Sequence, residues 1–296
     1  MKTSTITLET ARELTPARPP DGHKGTFGHV FAIAGALGFS GAAKLAGEGA
    51  SRSGTGLVTL GVPSSLAQAM AADLLDIMYH PLPATEEGTL AHAALEPAQA
   101  FARDKSAVVL GPGLTQHPGA RAFVHDFVAA CEQPLVVDAD GLNNLAGNTA
   151  VLKRRSVPAV LTPHPGEMAR LTGLDTRAVQ QDRLGVAQDF ADTYNSVVVL
   201  KGYETVVAAP GRECAVNSTG NAGLAKGGAG DVLGGLIGGL LAQGMKPFGA
   251  ARLGVFIHGL AGDEAADQHT QRGMTVRDLL AALPQAWKLV EQKGTH

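Results

Sequence analysis

Residues 217–242 read NSTGNAGLAKGGAGDVLGGLIGGLLA, a glycine-rich loop that runs directly into an apolar stretch. The apolar stretch predicts a helix over Gly230–Gln243, and Asp231 falls in its first turn. Gly227, Gly228 and Gly230 lack a Cβ, so the backbone N–H groups around them stay accessible. A helix N-terminus attracts anions through its free N–H groups and its dipole. The stretch therefore predicts an anion site with a carboxylate beside it.

Two interpretations of Asp231 remain open from these residues. In the simpler one, Asp231 stabilises the helix dipole and the glycines only form a loop. In the other, the glycine N–H groups hold the charge of a phosphoryl group while Asp231 accepts the proton of an attacking hydroxyl. The combination of cradle and carboxylate favours the second, phosphoryl transfer to a hydroxyl group.

Outward from this stretch, short apolar runs alternate with helical patterns. Strands separated by helices of ~10–15 residues indicate βαβ units and a parallel sheet. Runs of Val, Leu and Ile indicate that both faces of this sheet are covered. Glu204–Ala208 and Glu213–Asn217 predict a late hairpin around Pro210-Gly211, and hence an antiparallel edge. The other predicted strands are His29–Gly35, Leu57–Val62, Ile77–Leu82, Ala107–Leu110, Pro134–Asp138, Ala159–Thr162 and Val197–Lys201.

The helical patterns fall between these strands and again after the glycine-rich loop. They support one α/β domain, because no repeat, linker or block of charge interrupts them. Besides Gly230–Gln243, the predicted helices are Gly41–Ser53, Ser64–Ala72, Ala91–Arg103, His117–Cys131, Gly166–Leu171, Thr176–Thr193, Pro247–Asp267, Val276–Leu283 and Gln285–Lys293.

Polar and glycine residues follow five of the predicted strands at the point where each strand ends. In an open α/β sheet, ligands bind beyond the carboxyl ends of the strands. We therefore expect these segments to form the rim of one site. They are Ala34-Gly35, Gly111–Gly113, Asp138–Gly141, Thr162–Glu167 and Lys201-Gly202.

Composition excludes several classes of protein. The 296 residues carry 24 basic against 27 acidic side chains, for a net charge of -3, which argues against a nucleic-acid binder. The longest apolar stretch, Val232–Met245, is 14 residues long, too short for the ~18–20 that a membrane span needs. The N-terminus shows no apolar signal segment. Cys131 and Cys214 predict two reduced, buried thiols, so we expect a cytoplasmic protein. The charge balance and the short apolar stretch predict that it has no nucleic-acid or membrane partner.

Other phosphate and hydrolase motifs are missing from the sequence. There is no G-x-x-x-x-G-K-[ST] loop, since Lys226 is preceded by Ala225 and followed by Gly227. There is also no G-x-G-x-x-G, H-E-x-x-H or G-x-S-x-G. These absences leave the Gly227–Asp231 segment as the main phosphate signal.

A Gly-Ala-Gly-Asp sequence at a late helix start, after a strand that ends in Lys-Gly, resembles the ribokinase-like superfamily. Thr162–Glu167 (TPHPGE) resembles its T-P-N-x-x-E segment, with His164 in place of Asn. A longer series of motifs, over roughly residues 24–270, is similar to the ADP-dependent NAD(P)H-hydrate dehydratases. That series is Lys24–Val30, Gly41–Ala43 with Arg52–Leu57, Gly111–Leu114, Asp138–Asn143, Thr162–Glu167, Lys201–Thr205 and Gly227–Leu233.

The resemblance implies an α/β fold of the ribokinase-like type: three layers, with a mostly parallel central sheet and helices on both faces. It implies a single catalytic domain over residues 24–296, preceded by an N-terminal extension over residues 1–23. The family's separate epimerase domain has no room in this chain, so a stand-alone dehydratase is expected.

The implied reaction is a repair. NADH or NADPH that has taken up water on the nicotinamide ring is inactive. The family phosphorylates the ring hydroxyl with ADP, giving AMP, and then eliminates phosphate to restore NAD(P)H. The enzyme is thus expected to be a hydro-lyase with ADP as co-substrate and Mg²⁺ as cofactor, and the family tends to form homotetramers.

The resemblance also implies roles for individual residues. Asp231 would activate the substrate hydroxyl, and the anion hole would be Gly228, Ala229 and Gly230. The nucleotide would be bound by Lys201, Gly202, Tyr203, Glu204, Thr205 and Gly230, although Lys201 read alone is equally a solvated cation at a strand end. The hydrated cofactor would contact Ala43, Gly113, His164 and Asp231.

The metal ligand and the reaction class are less constrained. Glu167 is the candidate to hold Mg²⁺ through water, and a cap of the following helix is the equal alternative for this residue. Asp138 and Asp140 are further candidates for the same ion. The alternatives to a dehydratase are a ribokinase-like kinase of a vitamin-precursor alcohol and a non-catalytic nucleotide-binding protein.

Overall fold

The computed structural model describes residues 2–70 and 75–292. Within them lies one ten-stranded sheet. Its strands in chain order are β1 (Thr3–Ile6), β2 (His29–Ile33), β3 (Leu57–Pro63), β4 (Met78–Leu82), β5 (Ala107–Leu110), β6 (Leu135–Val137), β7 (Ala159–Leu161), β8 (Ser196–Leu200), β9 (Val206–Ala208) and β10 (Cys214–Asn217).

The sheet is mostly parallel. Its strand order is β1-β10-β9-β8-β7-β6-β5-β2-β3-β4, and β9 alone runs against its neighbours β8 and β10. The chain builds outward from β2 to β3 and β4, then returns to place β5 on the other side of β2. The junction between β2 and β5 is thus a topological switch point. Both the parallel sheet and the mixed edge predicted from the sequence are confirmed.

Helices cover both faces of this sheet. The bounds are α1 (Leu8–Leu14), α2 (Ser40–Ser51), α3 (Ser64–Met70), α4 (Leu95–Ala102), α5 (Pro118–Ala130), α6 (Asp140–Leu145), α7 (Pro165–Thr172), α8 (Thr176–Gln181), α9 (Arg183–Tyr194), α10 (Ala229–Ala242), α11 (Pro247–Gly273) and α12 (Val276–Glu291).

Two buried clusters show which helices cover which face. Along β2, Val30 and Ala32 belong to one cluster, whereas Phe31 and Ile33 belong to the other, as the alternation of side chains in a strand requires. The first cluster contains residues of α1 to α3 and α10 to α12, and the second contains residues of α4 to α9. This is the three-layer arrangement expected from the sequence. No helix in the described ranges is both long and apolar enough to cross a membrane.

The N-terminal segment differs from the sequence expectation, which placed no secondary structure before residue 24. Thr3–Ile6 pairs in parallel with β10 and completes the edge of the sheet, and Ala11 of α1 is buried in the core. Ser218 Oγ also donates a hydrogen bond to Ile6 O at 2.7 Å. The segment therefore contributes the edge strand of the sheet.

Helix boundaries also differ in three places. The helix predicted over residues 176–193 is two helices, because Asp182 (φ -137°, ψ 66°) separates α8 from α9. Pro284 does not divide the last helix, whose apolar side holds the buried Leu279 and Leu283. α11 runs past Asp267 to Gly273 and contains a non-helical residue, Thr270. The predicted helix ends at Ala72 and Lys293 lie outside the described residues.

Glycines on α10 allow an unusually close approach to α2 and to the sheet. A Cβ at Gly235 would lie 2.0 Å from Ala46 O, and one at Gly239 would lie 1.9 Å from Ser53 Oγ. On the sheet side, a Cβ at Gly238 would lie 2.2 Å from Val109 Cγ2. Because backbone and core atoms fill these positions, only glycine fits.

Gly235→Ala is expected to destabilise the fold by about 2 kcal/mol or more, because the added methyl group collides with the Ala46 carbonyl. The matched control is Gly41→Ala on α2, where a Cβ meets nothing within 4 Å. There the better helix propensity of Ala should stabilise by about 0.5–1 kcal/mol. Urea denaturation of both variants measures the effects, and equal values at the two positions would contradict this packing argument.

Candidate active site

A cavity of about 1190 Å³ opens beyond the carboxyl ends of β6, β7 and β8. Each of these strands delivers one charged side chain to its wall. Asp138 follows β6, Glu167 follows β7 in the first turn of α7, and Lys201 follows β8. The N-terminus of α10 forms the facing wall with Gly228, Ala229, Gly230 and Asp231. Three of the five predicted strand exits therefore meet at one site.

The α10 terminus has the geometry of an anion cradle. Gly228 precedes the helix with φ +96°, a left-handed conformation that favours glycine, and a Cβ there would lie 2.5 Å from Leu45 Cδ1. No side chain caps this terminus. The first N–H groups of a helix lack intrahelical acceptors, and Gly228, Ala229 and Gly230 line the cavity, so this terminus can offer N–H groups to an anion. One of them, Ala229 N, already makes a long hydrogen bond of 3.4 Å to Lys226 O.

Asp231 occupies the first turn of the same helix. Burial raises the pKa of its carboxyl group to about 7, and repulsion from Asp138 adds to this effect, while Lys201 opposes it. A carboxyl group that titrates near neutral pH is suited to accept a proton from a hydroxyl group. The arrangement thus places, beside a helix N-terminus suited to anions, a carboxyl group suited to act as a general base.

Lys201 is held by two carboxylates at the floor of the cavity. Its Nζ lies 3.0 Å from Oδ1 of the fully buried Asp138 and 3.8 Å from Oε2 of Glu167. Burial alone would lower the pKa of Lys201, but the attraction of these carboxylates outweighs it and raises the pKa. A Cβ at Gly230 would lie 3.2 Å from Nζ. The ammonium group therefore stands as a fixed positive charge beside the cradle.

The loop after β8, Lys201–Thr205, forms another part of the wall. Gly202 has φ +144°, and a Cβ there would lie 2.8 Å from an Arg183 nitrogen. Arg183 donates hydrogen bonds to Leu200 O at 2.9 Å and Lys201 O at 3.3 Å, and so fixes the start of the loop. Thr205 Oγ1 donates a hydrogen bond to Gly202 O at 2.9 Å, which closes the loop.

Two further residues of this loop leave their side chains available. Tyr203 is 88% exposed at the mouth of the cavity, and Glu204 has φ +52°. Positive φ is uncommon outside glycine and tends to occur at functional loops. Five of the six predicted nucleotide residues thus lie on one anchored turn, and the sixth, Gly230, lies in the first turn of α10.

His164 and Glu167 form a reciprocal cap at the start of α7. His164 Nδ1 accepts hydrogen bonds from the backbone N–H groups of Gly166 (3.0 Å) and Glu167 (3.3 Å), while Glu167 Oε2 accepts one from His164 N at 2.7 Å. Because Nδ1 acts as an acceptor, the neutral ring carries its proton on Nε2. Burial lowers the pKa of His164, and the Glu167 carboxylate partly opposes this.

The role of Glu167 in capping α7 affects the prediction that this residue holds Mg²⁺. Within the described residues, no group of three His, Cys, Asp or Glu side chains converges to hold a metal ion. Glu167 still faces the cavity, although it also caps α7 and approaches Lys201. Mg²⁺ commonly takes one or two carboxylates and completes its shell with water and substrate phosphates. The residues fit a metal held mainly by a nucleotide, with Glu167 as the protein group near it.

Ala43 and Gly113 lie apart from this wall and are not among the residues that line the cavity. They sit at the switch point between β2 and β5, where a Cβ at Gly113 would lie 3.0 Å from Phe39 Cβ. Ala43 is fully buried on α2. The same helix carries Leu45 to the back of the α10 cradle. The predicted substrate residues are thus divided between two neighbouring regions that α2 connects.

Comparison with known proteins adds to this geometry. Residues 30–285 match the family model described as NAD(P)H-hydrate dehydratase. The chain belongs to this family. A bifunctional NAD(P)H-hydrate repair enzyme of Moorella thermoacetica is 43% identical over 288 residues, which are 97% of this chain and 54% of that protein. The chain thus spans about half the length of that relative.

Solved structures of this family and of its superfamily share the fold of this chain. A Bacillus subtilis ADP/ATP-dependent NAD(P)H-hydrate dehydratase, co-crystallised with ATP and Mg²⁺, superposes with a TM-score of 0.85 at 33% identity, covering 98% of this chain and 100% of that one. A ribokinase-like superfamily protein of Enterococcus faecalis superposes with a TM-score of 0.83 at 26% identity, covering 98% and 97%. The predicted ribokinase-like fold is confirmed.

Several residues of this family member's site were missed from the sequence. Thr5 of β1 lines the cavity, and the β-branched run TSTIT at residues 3–7 was the signal that could have revealed the strand. Arg183 holds the loop after β8 because α9 packs beside β8, and no sequence motif around Arg183 indicates this contact. His258 was expected to be a hydrogen-bonded core residue, and its Nε2 lies 2.9 Å from Ala229 O.

Asp231→Asn should stabilise the folded chain, and the gain should grow from pH 5 to pH 8. Since burial raises the pKa of Asp231 from 3.8 to about 7, ionisation disfavours the folded state. This destabilisation is absent below the unfolded pKa and complete above the folded one. The difference in unfolding free energy between variant and parent should therefore increase by on the order of 2 kcal/mol between these pH values.

The control for this measurement is Asp267→Asn, at an exposed position of α11. Its effect on urea unfolding should stay constant over the same pH range. A stability difference for Asp231→Asn that does not change with pH would show that this carboxyl group titrates normally.

Proposed function

We propose that this chain catalyses the ADP-dependent dehydration of (S)-NAD(P)H hydrate to NAD(P)H, releasing AMP and phosphate. The observation that carries the proposal is the uncapped α10 terminus with Asp231 in its first turn, inside a cavity of about 1190 Å³. Such an arrangement supports transfer of a phosphoryl group to a hydroxyl. Membership in the dehydratase family supports the identity of the substrate.

In the first step, Asp231 accepts the proton of the ring hydroxyl as its oxygen attacks the terminal phosphorus of ADP. The new bond joins this oxygen to phosphorus, and the bond from phosphorus to the AMP oxygen breaks. We assign the N–H groups at Gly228, Ala229 and Gly230 to hold the charge of the transferring group, and the long bond from Ala229 N to Lys226 O (3.4 Å) would open for this. The ammonium of Lys201, fixed beside Gly230, adds a positive charge at the same point.

In the second step, the carbon–oxygen bond to the phosphate breaks, and the departing phosphate takes a proton from the neighbouring ring carbon. A double bond forms between these two carbons, which restores NAD(P)H. Phosphate leaves far more readily than hydroxide, so the first step serves the second. His164 faces the cavity from the α7 cap, and we assign it to contact the hydrated cofactor. Ala43 and Gly113 are assigned to the same substrate from the switch point, by family resemblance.

The nucleotide is proposed to bind along Lys201, Gly202, Tyr203, Glu204 and Thr205, and to reach Gly230. The anchoring of this loop by Arg183 and its place on the cavity wall support the assignment. The side chain of Lys201 points to Asp138 and Glu167, so we assign it to the phosphates and not to the base.

Mg²⁺ is the proposed cofactor, supported by its presence with ATP in the crystals of the Bacillus subtilis relative. When bound, it would neutralise nucleotide phosphate charge. Glu167 would hold it, through water and together with those phosphates.

The domain bounds, the cellular location and the oligomeric state are proposed as well. We place the catalytic domain at residues 24–296 with β1 and α1 added at its edge, and we place the protein in the cytoplasm, where its nucleotide substrates occur. A homotetramer is proposed from family resemblance, and the exposed Leu37 and Phe39 support contact with a second copy.

Purified protein incubated with hydrated NADH, Mg²⁺ and ADP is expected to restore the absorbance of reduced nicotinamide and to release AMP and phosphate. ATP in place of ADP tests the donor: recovery with ATP alone would keep the reaction and overturn the donor. Failure with both donors would contradict the dehydratase function. A screen of vitamin-precursor alcohols would then test the kinase alternative.

The pH dependence of turnover tests the role of Asp231. Because the base must be ionised, kcat/KM should rise with pH around a midpoint of about 7. Asp231→Asn should lower kcat by about 100- to 10,000-fold. Asp138→Asn should move the midpoint to lower pH, since it removes a repulsive charge and leaves Lys201 to attract Asp231. Asp267→Asn serves as control, and a midpoint that Asp138→Asn leaves in place would contradict this electrostatic account.

A further inference from the structure

Lys226 begins the turn that leads into the anion cradle. Its N–H donates to Leu224 O at 2.8 Å, and its carbonyl accepts from Ala229 N at 3.4 Å. These bonds fix its backbone next to Gly228 and Ala229. The residue lines the cavity, and its side chain is exposed. The turn therefore places a long, cationic side chain at the rim of the cradle.

The ammonium group of Lys226 has only a weak partner. Its Nζ donates to the backbone carbonyl of Arg272 at 3.2 Å. No carboxylate in the described ranges lies within salt-bridge distance of it, whereas Lys201 is paired with Asp138 and Glu167. A hydrogen bond from an ammonium to a phosphate is stronger than one to a neutral carbonyl. A bound phosphate would thus compete successfully for Lys226.

The Arg272 carbonyl is presented by the irregular end of α11. Thr270 leaves the helical conformation with φ 62° and ψ 155°. Its Oγ1 accepts from Gly273 N at 3.1 Å, and its carbonyl accepts from Met274 N at 3.0 Å. This closed turn holds the carbonyl at the cavity rim, where Gln271 also lines the wall. Lys226 is therefore kept near the cavity before any ligand arrives.

The negative charge around the cradle favours a further cation besides Lys201 and the Mg²⁺ proposed above. Asp138, Glu167 and Asp231 surround the single ammonium of Lys201. A nucleoside diphosphate adds more negative charge to this cavity. Lys201 is already shared between two carboxylates, so it cannot balance the diphosphate alone.

We propose that Lys226 binds the terminal phosphate of ADP, the phosphoryl group that is transferred to the substrate. The inference rests on the proposed function. During transfer, the bond from phosphorus to AMP breaks and the bond to the substrate oxygen forms, while Lys226 remains protonated and stays with the phosphoryl group. Its role is to bind charge, not to move a proton.

The test compares binding of ADP with binding of AMP, which lacks the terminal phosphate. Lys226→Gln removes the charge but keeps an N–H donor for the Arg272 carbonyl, so the tether can persist. Calorimetric titration should show ADP binding about 10- to 100-fold more weakly to this variant, with AMP binding unchanged within about twofold. Lys226→Arg should recover much of the loss. Lys246→Met, at an exposed lysine outside the cavity lining, is the matched control.

The results distinguish a Lys226 that binds the terminal phosphate of ADP from one that only ties its loop to α11. If ADP and AMP weaken equally, or neither weakens, Lys226 only ties the loop to α11 and the inference is wrong. If the parent protein restores NADH and Lys226→Gln does so with unchanged KM for ADP and unchanged kcat, the inference fails while the proposed function stands. If the parent protein binds neither nucleotide, both fail. Circular dichroism melting of each variant identifies loss of fold, and Lys226→Arg then provides the ADP-to-AMP comparison.

Discussion

The position of the active site depends on how closely α10 can approach α2 and the sheet. Gly235 and Gly239 bring the helix against backbone atoms of α2 and against the side chain of Ser53, which follows α2, and Gly238 brings it against Val109 of β5. This approach sets the N-terminus of α10 at the carboxyl ends of the strands, opposite Asp138 and Lys201. A bulkier residue at any of the three positions would move the cradle away from the charges that act with it. The small residues of α10 are therefore a requirement of the site as much as of the core.

The cavity gathers groups of like charge that a stable fold would keep apart. Asp138 is fully buried, and its second carboxylate oxygen has no hydrogen-bond partner within the described residues. Lys201 offsets this charge, but burial, together with repulsion from Asp138, keeps the pKa of Asp231 high. Stability is thus reduced where the chemistry requires a base that titrates near neutral pH. Removing such a group is expected to strengthen the fold while it weakens catalysis, a common trade at active sites.

Local patterns allowed much of the architecture to be predicted from the sequence. The β-rich runs gave the central strands, and the glycines before an apolar helix gave the anion cradle. Longer-range features escaped prediction, because they depend on which elements become neighbours. The β1 strand exists only because β10 offers an edge, and Pro284 is tolerated because the packing of its helix outweighs one lost hydrogen bond. Likewise, the contact between Lys201 and Asp138 joins residues that are 63 positions apart in the sequence, so no local motif predicts it.

The raised pKa of Asp231 also bears on how this site could carry out the dehydration proposed for it. A base with a pKa of about 7 is ionised often enough at neutral pH to take the hydroxyl proton, and basic enough to keep it while phosphorus changes partners. An aspartate with its ordinary pKa of 3.8 would return that proton more readily to the attacking oxygen. In the proposed reaction, the fixed ammonium of Lys201 and the helix N–H groups would still hold the phosphate oxygens once the phosphate ester has formed. Positive charge that stays in place favours departure of the phosphate dianion, so the cradle proposed to assist transfer would also assist elimination.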